Sequence, residues 1–465
     1  MPTNHGDKPI RGDQRIPLSP INEGRFGRMF RRLASAPHYT DAQLEALVAT
    51  MHETVPPPAA GWGSAPVVQP GGDNPAIPAM YTYFGQFVDH DITFDPNSSL
   101  QQQNDPDALR DFRTPRFDLD SLYGSGPDDE PFQYVPNTNP ARLLAEANTD
   151  GEMDLPRTSA GIAIIGDPRN DENIIVSQIQ LLFIRLHNKL ADAVEADATI
   201  PAESKFIETQ RQVRWTYQQV VVHDYLRRLV GDALVDSLLD HDPTGGEPEF
   251  HLRYYRAKTN AYMPIEFSAA AYRFGHSQVR GVYDLNDGVT GIPIFVPGAA
   301  GPHDDLRGRR VLPANWTVDW KHFIDLPDAT PQPSRLIDTH LSEGLFSLPG
   351  NGGQLALRNL QRGQSMDLPS GQDVAKLLGA DVLTGADMGG VLDPTPLWFY
   401  ILKEAELLGG EHLGPVGGRI VAEVLLGLLD NDKTSWINVE PSWTSPVTHT
   451  GDSVLLRDVV AFVGP

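Results

Sequence analysis

The residues best placed to do chemistry stand together in Gly85-Gln86-Phe87-Val88-Asp89-His90-Asp91. On a helix Gln86 and His90 share one face, and Asp89 and Asp91 flank that face on either side. One short stretch would then offer an imidazole, an amide and two differently aimed carboxylates. A neutral imidazole in such a set can take up a proton and return it. The same residues also suit a salt-bridged surface turn, or one half of a metal-dependent phosphohydrolase site. The latter needs further His and Asp ligands, and His187-Asn188 is a poor second half.

Three more segments carry candidate groups. Arg169 and Glu172 lie in Asp167-Pro168-Arg169-Asn170-Asp171-Glu172-Asn173, just before an apolar-periodic run. They could act on a substrate, or simply open that helix, whose N-terminus favours acids. Tyr272-Arg273-Phe274-Gly275-His276 offers a second histidine on an apolar segment. A lone histidine of this kind is usually satisfied within a core, which is the reading for His187 in Phe183-Ile184-Arg185-Leu186-His187-Asn188. Thr114, Arg116, Asp118 and Asp120 alternate in sequence, so an extended loop would aim them one way. Two carboxylates, a hydroxyl and backbone carbonyls suit a hard cation, although an exposed acidic turn has the same composition.

Taken in their order along the chain, the four segments resemble the animal haem peroxidases of the peroxidase-cyclooxygenase superfamily, the myeloperoxidase and lactoperoxidase type. A bacterial member is the expectation. The resemblance implies that Gln86 and His90 face a haem iron, and that Arg169 stabilises the charge that develops as the peroxide O–O bond breaks. It implies that Asp89 and Glu172 can form esters with a haem b derivative, and that His276 ligates the iron. Asn359, in Arg358-Asn359-Leu360-Gln361-Arg362, would partner the second ring nitrogen of His276, with Arg273 and Arg362 near the haem propionates. Calcium would be held by Asp91, Thr114, Asp118, Asp120 and the carbonyl of Arg116. The chain departs from the pattern at Asn173, where a methionine can bond a haem vinyl group, so that sulfonium link is not expected. Asp120 stands where the family usually has a hydroxyl. The resemblance runs from about Tyr81 to Trp436.

The implied activity is reduction of hydrogen peroxide, with oxidation of iodide, bromide or thiocyanate to hypohalous products, or of phenols. Fatty-acid dioxygenases of the same superfamily carry a radical tyrosine three residues before the iron ligand. Here that position is Arg273, and Tyr272 lies one residue earlier. A non-enzymatic calcium-binding or adhesive protein with an inactive haem pocket is a further alternative. The intact set of His90, Arg169, His276 and Asn359 argues against it.

These groups need rigid elements to hold them. Apolar positions at helical spacing predict helices over about 80–92, 173–193, 203–230, 264–279, 334–345, 395–408 and 415–429. The one convincing strand pattern is Ser453 to Val463. The expectation is a mainly α fold: a single large haem-peroxidase domain over 41–465 with long loops and little β, preceded by an irregular arm over 1–40. The 40 prolines and 42 glycines punctuate loops such as Pro56 to Pro78 and Pro293 to Pro302.

With 465 residues, 40% of them hydrophobic, the chain can bury a sizeable core. A formal charge of -24 argues against nucleic acid and anionic membranes as partners. The absence of cysteine excludes disulfides, thiol catalysis, iron–sulfur clusters and thiolate-ligated haem. No run of about 18 apolar residues predicts a membrane span, and the N-terminus lacks the basic-then-apolar pattern of a secretory signal. A soluble protein, cytoplasmic or secreted without a classical signal, is the expectation.

Overall fold

Ile175, Ile179, Leu182, Leu186 and Leu190 recur at helical spacing, and all five are buried along one helix, Ile174–Ala196. Asn173 caps it, its side chain accepting the Val176 amide hydrogen. A short connection returns the chain into Lys205–Val220, which packs against this helix and continues through a π-helical turn, Val221–Tyr225, into Leu226–Val230. The Met80–Ile92 helix lies on the same pair, with Phe84 and Phe87 stacked on Phe183. Leu355–Ser365, Leu397–Leu407 and Pro415–Asn431 build the rest of the core around the Ala271–His276 turn. The fold is mainly helical.

The computed structural model describes residues 24–464 except 54–71, 95–109, 112, 148–150, 242–245, 258–259, 299–300, 302, 350–351, 391 and 452. Residues 1–23 of the expected arm and most of the Pro56–Pro78 loop lie outside the described residues. Gly24–Gly27 forms a strand between Arg110–Asp111, antiparallel, and Met263–Pro264, parallel. The other sheets among the described residues are two-stranded. No helix of these residues is long and apolar enough to cross a membrane.

Three expected elements differ. Ser453 to Val463 is not a strand: Leu456–Val463 is a helix, with Leu456, Val459, Val460 and Val463 buried. The Asp458 carboxylate accepts the Leu455 amide hydrogen and opens the helix, so capping outweighs the β-branched composition. The stretch from Ser334 to Leu345 is not helical either. Pro333–Arg335 pairs with Asp73–Pro78, and only Glu343–Phe346 winds, as a 3-10 turn. Pro264 to Val279 breaks into Ile265–Ser268 and a 3-10 segment, Ala271–His276. Arg273 Nε donates to the Ser268 carbonyl at 2.9 Å, filling the acceptor that a continuous helix would have used.

Candidate active site

The Met80–Ile92 helix is buried along its length except at Gln86 and Asp89, which are half-buried and three residues apart. One stripe of an otherwise enclosed helix therefore borders open space, and His90 adjoins that stripe. The His90 ring is fixed from behind: Nδ1 lies 2.7 Å from Asn170 Oδ1, and Asn170 Nδ2 donates to Gln180 Oε1 at 2.8 Å. With Nδ1 donating, Nε2 keeps its lone pair and sits 3.6 Å from Glu172 Oε1. Burial, and then the Arg169 charge, lowers the His90 pKa against the opposing pull of Glu172. The imidazole is accordingly neutral at neutral pH.

Arg169 is held by the turn that precedes the Ile174–Ala196 helix. Asp167 accepts its Nε at 3.1 Å and its Nη2 at 2.8 Å, and Nη2 also reaches the carbonyls of His90 and Thr93. The guanidinium carbon lies 4.5 Å from the centre of the Phe94 ring. Nη1 alone makes no hydrogen bond among the described residues. Glu172, 39% exposed, accepts the Gln86 side-chain amide, and Asn173 Nδ2 donates to Gln86 Oε1 at 3.0 Å. Glu172, Asp89, Gln86 and His90 thus converge, although they come from two segments.

Opposite them, His276 closes its 3-10 turn with Asn359 Nδ2 2.8 Å from Nδ1. The isosteric half-turn of that amide presents Oδ1 to an Nδ1 proton and leaves Nε2 a free donor pair. Nε2 has no hydrogen-bond partner among the described residues. Burial, followed by the charges of Arg273 and Arg358, pushes the His276 pKa down to about 3, so the ring is neutral. At Gly275 an added Cβ would meet nothing within 4 Å, which marks unfilled space beside the ring. The charges of Asp89, Arg169 and Glu172 act on Arg273 as well as that of Arg358, so the His276 turn and the Met80–Ile92 helix are electrostatic neighbours. A neutral, partner-free imidazole nitrogen beside that space fits an iron axial ligand, and the half-buried carboxylates fit the rim of a large planar group.

Asp91 points away from this space into a buried cluster with Asp118 and Asp120, where one oxygen from each lies within 4.8 Å of the others. Neither Asp91 oxygen has a hydrogen-bond partner among the described residues, with the Leu119 amide and the Tyr217 hydroxyl close enough to act on its charge. Burial, and then the two neighbouring carboxylates, raises the Asp91 pKa far above its usual range. Thr114 Oγ1 donates to Asp118 at 2.6 Å, and the Arg116 amide to the Thr114 carbonyl at 2.8 Å. Buried, mutually repelling carboxylate oxygens fit a hard cation. Arg113 connects this cluster to Arg169: it lies 3.5 Å from Asp120 and 2.6 Å from Asp167.

Of the expected propionate arginines, Arg273 feels the charges of Asp89 and Glu172, whereas Arg362 sits half-buried on Leu355–Ser365, one turn beyond Arg358. Sequence reasoning missed Asn170, Arg113, Asp167 and Arg358. Asn170 and Asp167 stand beside Arg169, which is the one local signal. Arg113 and Arg358 offered none, because their partners are distant in sequence. His187 is a satisfied core histidine as expected, between the Tyr123 hydroxyl and the Ala141 carbonyl.

The profile of the animal haem peroxidase family matches residues 103–388, which include Arg169, Glu172, His276 and Asn359. Thyroid peroxidase of Rattus norvegicus is 26% identical over 374 residues, covering 69% of this chain and 38% of that protein. Chorion peroxidase of Drosophila melanogaster is 29% identical over 254 residues, covering 50% of this chain and 29% of that protein. The chain thus spans well under half the length of these curated relatives. Among solved structures, peroxidase A from Dictyostelium discoideum superposes with a TM-score of 0.62 at 17% identity, covering 94% of both chains. A fatty acid alpha-dioxygenase of Arabidopsis thaliana superposes with a TM-score of 0.58 at 14% identity, covering 88% of this chain and 74% of that one. At these identities the superpositions speak to the fold. With more than half of its length matched by the family profile, the chain belongs to the animal haem peroxidase family.

Proposed function

We propose that this chain is a haem peroxidase that reduces hydrogen peroxide and oxidises small anions (iodide, bromide, thiocyanate) or phenols. One observation carries the reading: His90, buried, and His276, half-buried, are both neutral, and each has one ring nitrogen held by an asparagine amide. Haem, when bound, supplies the redox chemistry that splits the peroxide bond. His276 would hold its iron, and Asn359 would fix the ring. His90 takes a proton from one peroxide oxygen at Nε2 and returns it to the departing one. Arg169, anchored through Nε and Nη2, aims Nη1 at the negative charge that develops there.

Asp89 and Glu172 are the candidates for ester links to haem, and mass spectrometry of the haem-bearing peptides checks them. Asp91, Asp118, Asp120, Thr114 and the Arg116 carbonyl are the candidate calcium ligands. The ion would brace the residue next to His90. Arg273 in place of a radical tyrosine disfavours the dioxygenase reading, and Tyr272 is engaged by the Tyr225 hydroxyl at 2.9 Å. The test is reconstitution with haem, then stopped-flow mixing with peroxide. A Soret band and rapid reaction are expected, with His90→Ala slowing the reaction ~10²–10⁴-fold. No Soret band, or an unchanged rate in His90→Ala, sinks the proposal.

A further inference from the structure

Asp167 is fully buried and is shared by two guanidinium groups. Its Oδ1 accepts the Arg169 amide hydrogen at 2.8 Å and Arg169 Nε at 3.1 Å. Its Oδ2 accepts Arg169 Nη2 at 2.8 Å together with Arg113 Nη2 at 2.6 Å and Arg113 Nε at 3.0 Å. A carboxylate offers about four lone-pair sites, so this one is saturated by two cations. The same two side chains lie over the Phe94 ring, the Arg169 guanidinium carbon 4.5 Å and that of Arg113 5.6 Å from its centre. Among the described residues Asp167 is the one carboxylate paired with Arg169. Were it paired with Arg169 alone, the two charges would cancel in a site that water does not screen. Arg113 divides the negative charge of Asp167 between two cations. Its contact with Asp120 is the longer one, 3.5 Å against 2.6 Å, so its charge bears chiefly on Asp167.

We propose that Arg113 is a positioning residue for Arg169: by taking a share of the Asp167 carboxylate it leaves Arg169 a net positive charge with which to stabilise negative charge in the pocket. The proposal rests on the haem peroxidase reading. Arg113 acts only through another residue, since its side-chain hydrogen bonds go to Asp167 and to the Gly166 carbonyl. A purely structural duty, holding the turn before the Ile174–Ala196 helix, would need the shape and donors of the side chain. The electrostatic duty needs its charge. Lysine at 113 keeps the charge without the guanidinium fork, and glutamine keeps a donor group without the charge, so the two duties can be pulled apart.

The test uses the full chain loaded with haem, at fixed pH and fixed calcium. Fluoride, an anionic ligand of ferric haem, is titrated without peroxide, and its dissociation constant is read from the Soret shift. Carbon monoxide binding to the ferrous protein is the neutral control. Arg113→Gln is expected to weaken fluoride binding roughly 3- to 10-fold, the effect of one charge removed from a partly buried network, with carbon monoxide binding unchanged. Arg113→Lys should bind fluoride much as the parent does. In an Arg169→Ala background Arg113→Gln should have no further effect, because the influence passes through Arg169. Unchanged fluoride affinity in Arg113→Gln overturns the proposal. Equal losses in the glutamine and lysine variants overturn it too, since shape would then matter and charge would not, and so does an equal loss for fluoride and carbon monoxide. Arg113→Met is the second uncharged variant: if neither it nor Arg113→Gln gives folded holoenzyme while Arg113→Lys does, Arg113 serves the fold and the proposal falls. A parent that reacts with peroxide but whose fluoride affinity ignores position 113 loses this inference alone. A parent with no Soret band removes the peroxidase reading as well.

Discussion

Asn170 Oδ1 lies 2.7 Å from Nδ1 of His90, and the same amide continues to Gln180 at 2.8 Å, inside the Ile174–Ala196 helix. The ring is therefore tied to the helix that carries Glu172 and Arg169 at its mouth, and its tautomer follows from a buried amide chain. Asn170→Ala should slow the reaction with peroxide by roughly tenfold, less than loss of the imidazole itself. Asn170→Asp, which still accepts the Nδ1 proton, should retain most of the rate. Equal rates for Asn170→Ala and the parent in stopped flow would remove this positioning role.

The Asp91, Asp118 and Asp120 cluster should bind calcium and lend it stability. At 100 times its dissociation constant a ligand specific for the folded state adds ~2.7 kcal/mol. Thermal melts with calcium and with a chelator should differ accordingly, and Asp91→Asn should erase the difference. Identical melts in both buffers would count against a cation there.

Glu404 is a buried carboxylate that accepts the Val416 amide hydrogen at 2.9 Å, at the start of the Pro415–Asn431 helix. Burial outweighs the hydrogen bonds from Val416 and Gly417 and pushes its pKa up to about 7. A carboxyl whose folded pKa is raised keeps its proton in the native state after the unfolded chain has lost it. Stability should therefore fall as pH rises from about 4.5 toward 7. Glu404→Gln should flatten that slope in denaturant titrations across this range, and an unaltered slope would assign the pH dependence elsewhere.

Gly85 sits against Tyr225, and an added Cβ would meet the phenol hydroxyl that receives the Tyr272 hydrogen bond. Gly85→Ala should cost ~1–3 kcal/mol through overpacking. It should also loosen the contact between the helix of His90 and the turn of His276. A melt combined with the haem dissociation rate checks both, and neither should match the parent.

The chemistry was legible where it is local. Gln86, Asp89 and His90 lie on one helix whose expected limits coincide with Met80–Ile92, so spacing alone placed them together. Arg169 and Glu172 were readable beside the apolar run that they precede. Arg113 was not, because its partners Asp120 and Asp167 are brought to it only by tertiary folding. The errors in secondary structure share one cause. At Leu456–Val463 a cap and a buried stripe overrode β-branched composition, and at Pro333–Arg335 pairing with Asp73–Pro78 overrode helical spacing. Local pattern and tertiary partner disagreed, and the partner won.

Of the 13 residues in Met80–Ile92, only Gln86 and Asp89 escape full burial. Packing on one flank and the acidic cluster on the other leave the remaining side chains little freedom to vary without a fold-wide penalty. A descendant chain seeking a new electron donor would find few sites on this helix open to experiment. Innovation would be channelled to Gln86 and Asp89, so the breadth of donors accessible by gradual change is narrowed by how tightly one helix is enclosed.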